Sequence, residues 1–232
     1  MKIKGLRWMA TFLAACMLMG AVPATAFAAK DAGTPPTYNS ATGCYEISTP
    51  AQLLYLAGKW KDGAPRDGHY VLTADIDMTG VKGFKPIASK KAEGFTGTFD
   101  GQFHSIKGLR IEYEKKYAGL FGYVGNQDDQ AYIKNVALLD CYVTGQQNVG
   151  ALAGVNYGTI TDCVVTGEVK CLDLSNSHTA GGICGKLKEG EGPIVGHVED
   201  CYVNADVSAP YDAGGIAGIQ DGGGYLARCF AA

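Results

Sequence analysis

The chain has 232 residues, a formal net charge of −3 and eight cysteines. That length suits one domain or a short repeat array. A weakly acidic balance argues against nucleic acid and anionic membrane surfaces as partners.

At the N-terminus, Lys2, Lys4 and Arg7 precede an apolar run from Trp8 to Val22, and small residues follow at Ala26 and Ala28. This reads as a secretory signal peptide over residues 1–28, cleaved between Ala28 and Ala29. The apolar core is too short for a transmembrane anchor, so a secreted or cell-surface location is expected. A rival reading takes Leu13-Ala14-Ala15-Cys16 as a lipoprotein processing box that would tether the protein through Cys16. The apolar stretch continues past Cys16, where a tether is usually polar, and this weighs against it. Loss of the signal's three cationic side chains leaves a charge of −6. Residues 29–43 (AKDAGTPPTYNSATG) are small and polar and read as a linker before a domain at 44–232.

Residues 49–60 (TPAQLLYLAGKW) form the one helical pattern. Thr49 suits the N-cap, Pro50 the first helical position, and Gln52 completes a capping box. Leu53, Leu54, Leu56, Ala57 and Trp60 supply an apolar face. A short helix here is expected to cover the open end of the β-rich array downstream of it.

From residue 106 onward, two phrases recur. One is an aliphatic residue, two variable positions and a second apolar residue, beginning at Ile106, Ile133, Ile160, Val198 and Leu226. Its fourth positions are Leu109, Val136, Cys163, Cys201 and Cys229. The other is a glycine-rich run, AGLFG, GALAG, GGICG and GGIAG, which puts Leu120, Leu152, Ile183 and Ile216 in register. A period near thirty residues marks a stacked array in which neighbours bury each other's apolar faces. Gly, Val, Ile, Thr, Tyr and Asn dominate, so the units read as short strands and turns. The predicted fold is all-β, a right-handed parallel β-helix of about five coils and roughly 24 Å. Insertions near 171–178 and 186–193 are expected as surface loops. The chain stops at Cys229-Phe230-Ala231-Ala232, within a repeat phrase, so the array is expected to continue beyond Ala232.

Seven cysteines remain after residue 28, an odd number that fits a complete disulfide framework poorly. Three of them, Cys163, Cys201 and Cys229, fall on one predicted inward ladder, where a thiol acts as a small hydrophobe. A Cys163–Cys201 bridge between adjacent coils stays open. No CxxC pair supports zinc, and no cofactor or metal is expected. The histidines His69, His104, His178 and His197 are scattered and read as turn or surface residues. No nucleophile elbow or phosphate loop is present.

Asp75 and Asp77 alternate around Ile76, a pattern that could bind a cation or act on a glycosidic bond. The simpler reading is two solvent-facing residues beside a buried one. Asp100 reads as a turn former before Gly101. Asn126, Asp128 and Asp129 form an acidic loop without calcium-loop spacing. Asp162 and Asp200 occupy equivalent coil positions, which suggests a turn role. No catalytic residue is assigned. Tyr142, Tyr157, Tyr202 and Tyr211 could offer an exposed binding face.

The succession EISTPAQLLYLA (46–57), YVLTADIDM (70–78), FKPIA (84–88), FTGTFDGQFHSIKGL (95–109), GLFGYV (119–124) and VGALAGVNYGTITDCVVTGEV (149–169) resembles bacterial surface proteins with the GLUG motif. These include the non-catalytic region of some Gram-positive IgA-specific peptidases. Phe84 stands where that pattern usually has Trp, and Ala88 where glycine is common. The resemblance implies a secreted or wall-associated β-helical module for adhesion, ligand binding or spacing, and brings no catalytic residue. Its partner would be a host glycan or an extracellular protein. The alternative is a β-helical carbohydrate-active enzyme of the polysaccharide lyase or glycosidase type.

Overall fold

The computed structural model describes residues 33–59, 64–174 and 178–232. The signal segment, the Ala28–Ala29 cleavage site, Cys16 and Trp60 lie outside the described residues.

Short strands pair in parallel into three sheets, and each coil visits them in turn. The coil at 132–156 shows the plan. Tyr132–Lys134 lies in the first sheet, Ala137–Gly150 in the second and Ala153–Asn156 in the third. Register is regular in the first and third sheets, whereas the second shifts between Leu138 and Cys141 and between Gly145 and Gln147. In the third sheet Ala153 pairs with Phe121 and Cys184, and Cys184 with Ala217. Leu120, Leu152, Ile183 and Ile216, one residue earlier, are therefore stacked. The first three are fully buried and Ile216 packs against the core half-buried. The architecture is mostly β with parallel sheets, compatible with a β-helix.

The first sheet departs from the sequence reading. Its inward column is Tyr45, Tyr70, Phe99, Ile133, Ile160, Val198 and Leu226, seven parallel strands instead of five. Phe99, not Ile106, stacks on Ile133. Ile106 belongs to the second sheet, in a column with Ile76, Leu138, Val165 and Val203. Leu109 is likewise level with Cys141 and not with Val136, because Arg110 pairs with Tyr142.

The cause is local. Two different bends share one code, an aliphatic residue, a variable one, a left-handed residue and an apolar one. Gly108 (φ +67°) and Asp140 (φ +51°) sit at the bend within the second sheet, whereas Asn135 (φ +55°), Asp162 (φ +53°), Asp200 (φ +50°) and Arg228 (φ +50°) sit at the corner from the first sheet to the second. Asn and Asp tolerate this conformation better than other non-glycine residues, which explains their recurrence. The glycines of GLFG and ALAG answer close approach. A Cβ on Gly122 would lie 2.6 Å from Ser89 Cα, and one on Gly154 2.7 Å from Tyr117 Cα.

At the leading end, the helix Pro50–Lys59 follows the first parallel strand, Cys44–Ile47. Gln52 N–H donates to Thr49 Oγ1 at 3.3 Å. Gln52 Oε1 accepts from Ser48 N–H at 2.8 Å, so the reciprocal half of the capping box closes one residue early. Leu53 and Leu56 are buried in the same core cluster as Ile47 and Leu72. Part of the expected linker is structured: Thr37–Asn39 pairs antiparallel with Cys44–Ile47, and Thr34 N–H donates to Ala51 O at 3.1 Å. The second insertion begins later than expected, since Lys186 and Lys188 are still within the strand Cys184–Lys188.

Candidate functional site

Most of the sequence's candidate chemistry is engaged in holding turns. Asp75 Oδ1 accepts from Ser105 N–H at 2.6 Å and Ser105 Oγ at 3.0 Å, with His104 Nδ1 at 3.6 Å. Asp77 accepts from Thr79 N–H at 2.9 Å, and the Thr79 hydrogen bonds hold its carboxyl below the usual range. Asp100 ties two coils together, accepting from Gln102 N–H and Asn135 Nδ2, each at 2.9 Å, with Lys134 Nζ at 3.3 Å. Partial burial works to raise its pKa, but these donors outweigh it and the pKa falls. Asn126 Oδ1 accepts from Asp128 and Asp129 N–H at 2.7 and 2.9 Å, which makes the acidic loop an Asx turn. Asp200 takes a two-point contact from Arg228, whose Nε and Nη2 each lie 2.7 Å from a carboxylate oxygen. Among the described residues, no three His, Cys, Asp or Glu side chains converge as a metal site would require.

The cysteines among the described residues are free thiols, and Cys141, Cys163, Cys171, Cys184 and Cys201 are buried. Cys163, Cys201 and Cys229 each precede a residue of one paired column, Val164, Tyr202 and Phe230. Burial pushes the Cys184 thiol up to about 12 and holds Cys201 well above the ordinary thiol value. Such groups are poor nucleophiles at neutral pH.

Two further readings change. Tyr157 is not exposed but buried with Tyr123, Val155 and Ile194 in a cluster separate from the main core. His178 is also buried, with Nδ1 3.4 Å from Asp173. Tyr142 and Tyr202 are half-buried, whereas Tyr211 is exposed.

The surface left over for recognition lies on the outward side of the first sheet. Side chains alternate across a strand, so the residue before each inward apolar one points out. His69, Thr98, Tyr132, Thr159, His197 and Tyr225 pair in a single register and form this outer column. Tyr132 is 46% and Tyr225 44% exposed. The rings of Tyr225 and His197 sit 4.1 Å apart between centroids. Beside this column, residues 66–67, 96, 128–130 and 193–194 line an open cleft of about 540 Å³. The Tyr132 hydroxyl, 3.4 Å from Gln130 Oε1, joins the column to the cleft.

Unequal turns make the cleft. The turn after Ala153–Asn156 is very short, held by Asn156, which is fully buried. Asn156 Oδ1 accepts from Gly158 N–H at 2.9 Å and its Nδ2 donates to His197 O at 3.0 Å. The next turn, 189–196, is longer and reaches back over it, with Glu191 N–H donating to Gln127 O at 2.8 Å. Sequence reading missed Asn156, Tyr132 and Tyr225. The period-two alternation around Ile133 and Leu226 was the signal that could have found the two tyrosines.

These features define a repeat protein of stacked parallel strands whose polar groups mostly serve its turns. Residues 145–170 match the family model described as the GLUG motif, and the chain carries that motif. Over 151 residues, 61% of this chain, it is 33% identical to halomucin of Haloquadratum walsbyi, and the match spans 2% of halomucin. Over 130 residues, 52% of this chain, it is 33% identical to a proposed Gly-rich membrane protein of Evansella cellulosilytica, and spans 14% of it. A crystal structure of a proposed immunoglobulin A1 protease from Bacteroides ovatus superposes with a TM-score of 0.66 and 25% identity, over 88% of this chain and 60% of that one. The chain thus corresponds to a minor part of the two curated relatives and under two thirds of the structural one. No helix among the described residues is long and apolar enough to cross a membrane.

Proposed function

We propose that the chain is a non-catalytic extracellular or cell-surface module, a right-handed parallel β-helix that binds a ligand or spaces parts of a larger surface protein. The observation that carries this reading is the fate of the polar residues. Asp75 and Asp77 lie on one coil and Asp100 and Asp200 on others, and each holds a turn or an adjacent coil with its own partners. An active site breaks repeat symmetry by gathering an acid, a base and a positioning cation in one place. The GLUG match and the relatives named above support a surface role. The protease name of the structural relative supplies the competing activity to exclude.

Incubation of the purified chain with immunoglobulin A1 and with soluble polysaccharides should leave both intact, by gel electrophoresis and by reducing-end release. Cleavage of either, abolished by a single carboxylate substitution, would overturn the reading. Export is tested separately by N-terminal sequencing of protein from the culture medium and wall fraction. The expected first residue is Ala29, whereas lipid on Cys16 would overturn ordinary secretion.

A further inference from the structure

We propose that the outer column of the first sheet is a binding strip for an uncharged, extended polysaccharide, with Tyr132 and the Tyr225–His197 pair as its two stacking platforms. This rests on the reading of the chain as a binding module and names its ligand class and site.

Three observations converge. The first is cost: Tyr132 and, on the last strand of the sheet, Tyr225 leave nearly half their surface in water on an outward column otherwise made of His69, Thr98, Thr159 and His197. Their carbons gain little from that position unless something lies on them. The second is geometry. Tyr132, Thr159, His197 and Tyr225 follow one another in register, so the two platforms stand about three strand spacings, ~14 Å, apart along the stack. One strand spacing is about the length of one sugar ring. A polysaccharide lying along the stack would therefore meet a new side chain at each ring. The C–H face of a pyranose carries slight positive charge and suits the negative face of an aromatic ring. Hydroxyls at the ring edges suit Thr159 and the polar rim of the adjoining cleft.

The third observation is charge. The cations near the strip are already matched, Lys134 to Asp100 and Arg228 to Asp200 and Glu199. The cleft holds Asp67, Asp128 and Asp129 against the cation Arg66. A uronate or sulfated polymer would meet more carboxylate than guanidinium there, so like-charge repulsion selects against it. An uncharged chain meets no such penalty.

The test is native affinity electrophoresis of the full chain in gels containing mixed-linkage β-glucan, hydroxyethylcellulose, dextran or polygalacturonate. At least one uncharged polymer should retard the wild type, and polygalacturonate should not. Tyr132→Ala with Tyr225→Ala should weaken retardation at least tenfold, while Tyr211→Ala, an exposed tyrosine off the strip, should leave it unchanged. Circular dichroism of each variant verifies the fold, and Tyr132→Phe with Tyr225→Phe should retain most binding. No retardation by any uncharged polymer, equal retardation of the double variant, or preference for polygalacturonate would each overturn the strip. Reducing-end measurement on the same samples separates the two proposals. Shortening of a bound polymer would overturn the non-catalytic reading alone, and absence of both binding and shortening would overturn the strip alone.

Discussion

The first and last strands of the described stack bury their inward faces unequally. At the leading end, Thr37–Asn39 turns back antiparallel onto the first parallel strand. Tyr38 and Tyr45 pack there with centroids 5.0 Å apart, and Leu53 and Leu56 of the helix are buried in the adjoining core. At the trailing end, the last strands carry no such cover among the described residues. Leu226 is 41% exposed, whereas Val198, with which it pairs one strand before, is buried. A coil buries its inward face only when another coil or a cap lies on each side. Apolar identity is therefore a poor guide to energetic weight here; level in the stack decides it.

This difference can be broken experimentally. The largest effect should come from Phe99→Ala, in a fully buried ring 5.5 Å from that of Phe121. A loss of about 3–5 kcal/mol is expected, against under about 1 kcal/mol for Leu226→Ala in the same column; urea unfolding followed by circular dichroism compares them. Equal losses would remove the asymmetry. Asn156→Ala comes next, at about 2–3 kcal/mol, because it strips Gly158 N–H and His197 O of their buried partner. The same unfolding curves measure it, and a neutral outcome would mean the short turn holds without that amide.

A gain is expected from Ala88→Gly. Ala88 sits buried at φ +54°, a conformation that disfavours a Cβ, so glycine should raise stability by about 0.5–1 kcal/mol and Tm by a few degrees. An unchanged or lower Tm would contradict the strain. The smallest effect concerns pH in the later coils. Hydrogen bonds from Lys188 and Lys186 pull the Asp221 pKa down to about 2 from 3.8. Its stabilisation is therefore present above pH ~4 and lost as pH falls through about 2. The pair is exposed, so about 0.5 kcal/mol or less is at stake. Lys186→Gln with Lys188→Gln should reduce the acid-side slope of stability between pH 4 and 2, and an unaltered slope would show the pairs to be inert.

The glycine phrases made the third-sheet column readable, because tight approach there admits little else. Thr49 and Gln52 likewise announced the helix through capping chemistry. The first sheet was harder to read, since Tyr45, Tyr70 and Phe99 replace the aliphatic residue in its early strands and an aliphatic search passes over them. Ile106-Lys107-Gly108-Leu109 then supplied a false match, because a left-handed residue serves two different bends. The binding face was less legible still. Tyr132 and Tyr225 have meaning only once the register places them on one column, and the cleft depends on the relative lengths of turns that are distant in sequence.

Amide hydrogen exchange of a polypeptide ending at Ala232, read by mass spectrometry, tests the asymmetric stack most directly. The account predicts strong protection in 98–100, 132–134, 159–161 and 197–199, retained into the leading strands 44–47, with steep loss in 225–231. Protection as strong in 225–231 as in 159–161, or exchange at 44–47 as fast as at the trailing edge, would contradict it.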